Sequence, residues 1–209
     1  MFDFIIDLDE YFAKEYAGYD KLTVLPGYKM PLMQSTKTDE NGKTVTYTLP
    51  ADTMALAKQE NKDELLALLK EKMVDKTFSF SFSVLSGWGR VKQAFSKYGF
   101  AKNLKKFMAK YNLTDEDILS NVNVAPEIWK GIRKGKFLPT KNLILTLAFT
   151  VQFSYEDTKA LLSLCDEFFD YTVVKDVVIT YLLSRKIYNP AMVQAAFEEY
   201  KVTNMFFKQ

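Results

Sequence analysis

Apolar residues recur along this chain with two periods, and the switch between them divides it. Phe4, Ile5, Leu8, Tyr11 and Phe12 fall at helical spacing and predict a helix over residues 3–16, ended by Gly18. Residues 21–25 form a short β-rich run stopped by Pro26-Gly27. Residues 30–37 and 43–49 read as extended, joined by the turn-forming Asp39-Glu40-Asn41-Gly42, with Val45, Tyr47 and Leu49 alternating with threonines. Pro50 opens helical sequence to about Met73, broken near Asn61, with Leu65, Leu66, Leu69 and Met73 facing a core. The clearest strand pattern covers residues 77–84. Phe78, Phe80, Phe82 and Val84 alternate with Ser79, Ser81 and Ser83, which predicts a buried aromatic face and a hydroxylated outer one. After Ser86-Gly87-Trp88-Gly89 the period becomes 3.6. The expected organisation is therefore an α+β domain over residues 1–86, followed by an all-α domain over residues 87–209.

Helix signals crowd the second part. Val91, Phe95 and Tyr98 make one apolar line and Leu104, Phe107, Met108 and Tyr111 another, split by Gly99. Thr114 with Asp117 resembles a capping box, and Ile118 sits on the apolar side of the short helix that follows. Pro126 lies in the first turn of a second short helix. Ile128, Trp129 and Ile132 are its apolar face, and Lys134-Gly135 marks its end. Pro139-Thr140 opens a third helix, whose Leu143, Ile144, Leu147, Ala148 and Val151 form one broad buried stripe. Residues 155–165 and 171–184 continue helical. Asn189-Pro190 starts a last helix carrying Val193, Ala196, Phe197 and Tyr200, and the apolar tail Met205-Phe206-Phe207 is expected to dock.

Two short helices, a tight turn and a longer supporting helix form a helix-turn-helix pattern. Residues 113–162 resemble the lambda-repressor-like (Cro-type, XRE) helix-turn-helix family. The likeness rests on residues 114–119, Asn123-Val124-Ala125, Lys134-Gly135-Lys136, Pro139, Leu147-Ala148 and Phe153-Ser154. The whole chain also resembles proteins of Firmicutes that carry such a domain at their C-terminal end, a likeness that brings no function with it. The resemblance implies a bacterial DNA-binding transcription regulator. It puts Trp129 and Ile132 at buried positions, and Pro126, Glu127 and Gly131 where the family reads base edges. Proline there has no donor, glycine has no side chain, and glutamate accepts only from cytosine while facing phosphates. Asp115 stands where the family usually has a glutamine that bonds a phosphate and supports the second helix. Direct readout is thus eroded, whereas phosphate contacts remain available.

Charge adds to this picture. Residues 1–86 carry 14 acids and 10 bases, residues 87–141 carry 4 acids and 12 bases, and residues 142–209 carry 8 acids and 6 bases. The positive excess therefore coincides with the helix-turn-helix and the segment before it. Lys102, Lys105, Lys106, Lys130, Arg133, Lys134, Lys136 and Lys141 are the candidate nucleic-acid-binding residues. An anionic membrane face and a merely solvated face are rival readings of the basic run.

Candidate chemistry is sparse. The 209 residues include no histidine and a single cysteine, Cys165, which excludes an internal disulfide and the usual zinc ligand sets. No catalytic motif or cofactor signature occurs. The Asp3, Asp7, Asp9, Glu10 group reads first as helix N-terminal acids and only second as a metal site. The serine-lined face of residues 79–83 reads as solvent-facing before it reads as a ligand surface. There is no signal-peptide pattern and no apolar run long enough to cross a membrane. The expectation is a non-enzymatic cytoplasmic regulator with no cofactor or metal, binding DNA through residues 90–141 with weak sequence preference. The alternative is a protein-interaction adaptor or inhibitor, or a homodimer, that keeps the helix-turn-helix as a scaffold.

Overall fold

The computed structural model describes residues 2–18, 34–38, 42–48, 62–72, 80–95 and 99–208. The run expected at 21–25, the Pro26-Gly27 turn, the helical sequence from Pro50 to Asn61 and the start of the strand at 77 lie outside these residues. Among the described residues the elements are, in order, α1 (Phe2–Glu15), β1 (Gln34–Thr38), β2 (Thr44–Thr48), α2 (Lys62–Lys72), β3 (Phe82–Val84), α3 (Gly87–Phe95), α4 (Phe100–Lys110), α5 (Asp115–Asn121), α6 (Pro126–Arg133), β4 (Phe137–Pro139), α7 (Lys141–Thr150), α8 (Tyr155–Ser163), α9 (Val174–Ser184) and α10 (Pro190–Glu199). The protein is mostly helical, with two small antiparallel strand pairs, β1–β2 and β3–β4.

Two compact units emerge, and they do not coincide with a division at residues 86–87. One comprises residues 1–75, 170–181 and 196–202; the other comprises residues 76–169, 182–195 and 203–209. In the first, Leu8, Phe12 and Ala13 of α1, with Tyr16 just after it, share a core with Leu65, Leu66 and Leu69 of α2. Phe12 lies against the Tyr200 ring, with centroids 4.7 Å apart. The acids of α1 hold buried hydroxyls: Tyr181 donates to Asp7 at 2.8 Å and Tyr200 to Asp9 at 2.6 Å. Lys70 bridges Asp9 and Glu199. The β1–β2 ribbon pairs Thr36 with Thr46, in the register expected for a hairpin.

Helix α7 is the centre of the second unit. It packs against α5 and α8, while α4 packs against α6 and α8. The single buried stripe expected for α7 is instead burial all round, because every residue from Asn142 to Phe149 is buried. The polar residues on it are satisfied internally, which is what permits this. The Thr146 hydroxyl donates to the Asn142 carbonyl and accepts the Phe206 amide of the docked tail. A bridge between Val122 and Phe207 extends that docking.

Two strand expectations are corrected. Within the described residues, strand geometry from the 77–84 pattern covers only Phe82–Val84, and Phe80 and Val84 are each 70% exposed. The pairing is a three-residue ribbon, in which the Phe82 ring meets that of Phe137, 4.8 Å away. β4 is a strand within the region expected to be all-α. Pro139 has no N–H, which suits the edge position it takes opposite Phe82. Ser86-Gly87-Trp88-Gly89, expected to be a boundary, is the start of α3, where the Ser86 hydroxyl accepts the Gly89 amide at 3.1 Å.

Six helix ends share one arrangement. At Asn112, Gly135, Gln152, Asp166, Lys186 and Lys201 the backbone turns left-handed, with φ between 51° and 67°. In each case the next amide bonds the carbonyl five residues back, as Leu113 does to Met108 and Phe153 to Ala148. This is the Schellman arrangement, which satisfies the last carbonyls of the helix. Five of these six residues are not glycine, and each carries a steric cost of order 1 kcal/mol that the closing bonds offset. Gln152→Gly is therefore expected to stabilise the protein by about 0.5–1 kcal/mol and Gln152→Val to destabilise it, as read from chemical denaturation midpoints.

Around Asp157, burial pushes the carboxyl up, but hydrogen bonds from Lys110, Tyr111 and Ser154 outweigh it and hold the group below its ordinary value of 3.8. Tyr111 in turn accepts the Ser154 amide at 3.0 Å, tying α4 to the start of α8. A carboxyl depressed on folding contributes stability above its unfolded pKa and loses it as pH falls through the folded value. Acid titration of unfolding is thus expected to show a loss beginning near pH 3.8 and continuing below it, and Asp157→Asn should remove that component.

Candidate nucleic-acid interface

Helix α5 begins at Thr114, whose hydroxyl accepts the Asp117 amide at 3.1 Å while the Asp117 carboxylate accepts the Thr114 amide at 2.7 Å. These two bonds form the reciprocal capping box. The Thr114 hydroxyl also donates to the Asp117 carboxylate at 2.6 Å, and this bond first, then the one from the Thr114 amide, draws that exposed carboxyl below its ordinary range. Helix α6 begins at Pro126, where a missing N–H costs nothing. Trp129 is 2% exposed, and burying an indole removes roughly 150–250 Å² from water, a gross transfer term of roughly 4–6 kcal/mol. Its ring N–H donates to Asp115 at 2.8 Å. The same carboxylate oxygen accepts from Arg133, one of the candidate cations.

Gly131 does not occupy a base-reading position. It is buried, and a Cβ built there would lie 2.3 Å from two ring carbons of Phe137. The residue is glycine because β4 folds back over α6 and seats the Phe137 ring on the bare backbone. Gly135, with φ +67°, makes the turn that returns the chain. Pro126, Glu127 and Lys130 remain on the exposed side of α6.

A groove of about 590 Å³ opens between α3, α4 and the end of α6. Arg90, Lys102, Lys105, Arg133, Lys134 and Lys136 line it, and among the described residues no carboxylate does. Leu85, Val91, Phe100, Ala101 and Leu138 supply apolar wall. Lys102 and Lys105 share one helical face at spacing i, i+3. Lys102, Lys105, Lys134 and Lys136 are exposed and have no ion-pair partner among the described residues. Five of the eight candidate residues therefore converge. The other three do not: Lys106 leans toward Asn103, Lys130 stands on α6 away from the groove, and Lys141 donates to the Phe168 carbonyl. Arg90 was not among the candidates, although its place in an acid-free basic run was the available signal. Cys165 takes no part; burial first, then the Glu167 and Asp166 charges, push its thiol up to about 12, leaving it protonated and unreactive. Among the described residues no helix is long and apolar enough to cross a membrane.

The Gly131 contact yields a direct test. Gly131→Ala should cost about 1–3 kcal/mol in guanidinium unfolding, since the added methyl displaces a packed ring. Combining it with Phe137→Leu should recover part of that loss, showing coupling between the two positions.

No family model, curated protein or solved structure matches the chain.

Proposed function

We propose that the protein is a non-enzymatic, cytoplasmic regulator that binds nucleic acid through phosphate contacts, using a lambda-repressor-like helix-turn-helix built from α5 and α6. One observation carries this reading: six cations line a single groove at the end of α6, and among the described residues no carboxylate lines that groove and, of the six, only Arg133 is in an ion pair, with Asp115. The apolar wall lowers the local dielectric, so each phosphate contact is stronger than at a flat surface. Affinity of this kind comes from counterion release and carries little sequence information.

A second reading, a protein-interaction adaptor on a retained scaffold, is favoured by the exposed face of α6. Gly131 is sealed under Phe137, and Pro126 and Glu127 offer little to a base edge.

A salt titration of fluorescence anisotropy separates the two. Under the first reading, log Kd should rise linearly with log salt concentration. Lys134→Ala with Lys136→Ala should weaken binding severalfold for every sequence and lower the slope by about 0.7–0.9 for each phosphate contact removed. Under the second, the protein should retain partners from a lysate treated with nuclease, and no oligonucleotide should bind at low salt.

A further inference from the structure

Helix α3, which supplies one wall of the groove, also carries exposed apolar residues that phosphate binding does not explain. Trp88 is 80% exposed on α3, and Val91, three residues later on the same helical face, is 47% exposed and lines the groove. Val84, just before α3, is 70% exposed. A large indole left in water on a helix that walls a cation-lined groove suits a ligand that has both anionic charge and an accessible flat apolar face. Duplex DNA lacks the second, because its bases are stacked on one another. The rest of α6 is also poorly suited to a duplex, with Glu127 exposed and Gly131 buried.

We infer that this surface binds single-stranded nucleic acid, its phosphates held by Arg90, Lys102, Lys105, Lys134 and Lys136 and an unstacked base resting on Trp88. The inference deepens the phosphate-binding reading above and rests on it. Trp88 is not part of the groove lining, so a ligand that touches both must extend beyond the groove. A strand of several nucleotides does so, whereas a free mononucleotide filling the groove does not. Stacking on an aromatic tolerates any base, which matches the weak sequence preference that phosphate contacts impose.

The test uses the intact chain, whose tryptophans are Trp88 and Trp129. Trp129 is buried, so solvent-exposed emission reports on Trp88. Oligothymidylate of about 20 nucleotides, a duplex of the same length and phosphatidylserine vesicles are titrated separately. The expected result is single-strand binding at least about tenfold tighter than duplex binding, with quenching of the exposed emission. Trp88→Leu should weaken single-strand binding by about tenfold or more while Trp88→Phe keeps most of it, since stacking needs an aromatic ring. Equal or tighter duplex binding without quenching would overturn the inference and leave the phosphate reading standing. Binding to neither nucleic acid would overturn both. Binding to vesicles alone, with a blue shift of the exposed emission, would assign the surface to lipid and overturn the inference as well.

Discussion

Every side chain on α7 from Asn142 to Phe149 is removed from water, so each polar group it carries needs a partner inside the protein. That constraint organises the second unit. Thr146 bonds back to its own helix and at the same time receives the Phe206 amide, so the C-terminal tail is held by a hydrogen bond the helix itself must make. The tail then pairs Phe207 with Val122, at the end of α5. A residue near the C-terminus thereby fixes the start of the turn that leads into α6. The position of α6 depends on α7 being fully enclosed.

Helix α6 is shaped by two opposite demands. One side must accept Trp129 completely, and the other must let Phe137 lie on the backbone at Gly131. Both are packing requirements, and together they leave only a narrow exposed strip on the helix. The cations that form the groove therefore come mainly from the turn after α6 and from α4, where long side chains can reach solvent without disturbing a core.

Local signals were readable from the chain because they are satisfied within a few residues. Thr114 and Asp117 cap each other, Pro126 starts a helix, Gly135 ends one, and Phe206-Phe207 had to find apolar cover. The helix ends at Gln152, Asp166, Lys186 and Lys201 were less visible, since none uses the glycine that usually announces a left-handed terminus. Gly131 was misassigned because its role depends on β4 returning over α6, and nothing near Gly131 in the chain announces Phe137. Of the aromatic face expected at residues 78–84, Phe80 and Val84 are exposed, because the three-residue ribbon places no layer over them. Residues 170–181 and 196–202 belong with the first unit through contacts such as Tyr200 to Asp9, whose partners are 191 positions apart. The basic run itself was plain in the charge pattern. Its convergence was not, because it requires α4 to pack on α6.

Asp115 is where the demands of the fold and of the groove meet. A buried indole N–H needs an acceptor, and leaving it unmade would cost about 1–3 kcal/mol. A neutral acceptor would meet that need and leave Arg133 fully charged toward the groove. The carboxylate instead also binds Arg133, so one of the six groove cations is partly neutralised by the group that anchors the helix. Asp115 is more than half exposed, so this ion pair itself adds little stability. Its effect is positional: it pins the guanidinium beside Met108 and orients the end of α6. The potential of the groove then rests on the four lysines and Arg90, residues that the core does not require. Substitution there can change the charge of the groove while the packing beneath it stays intact.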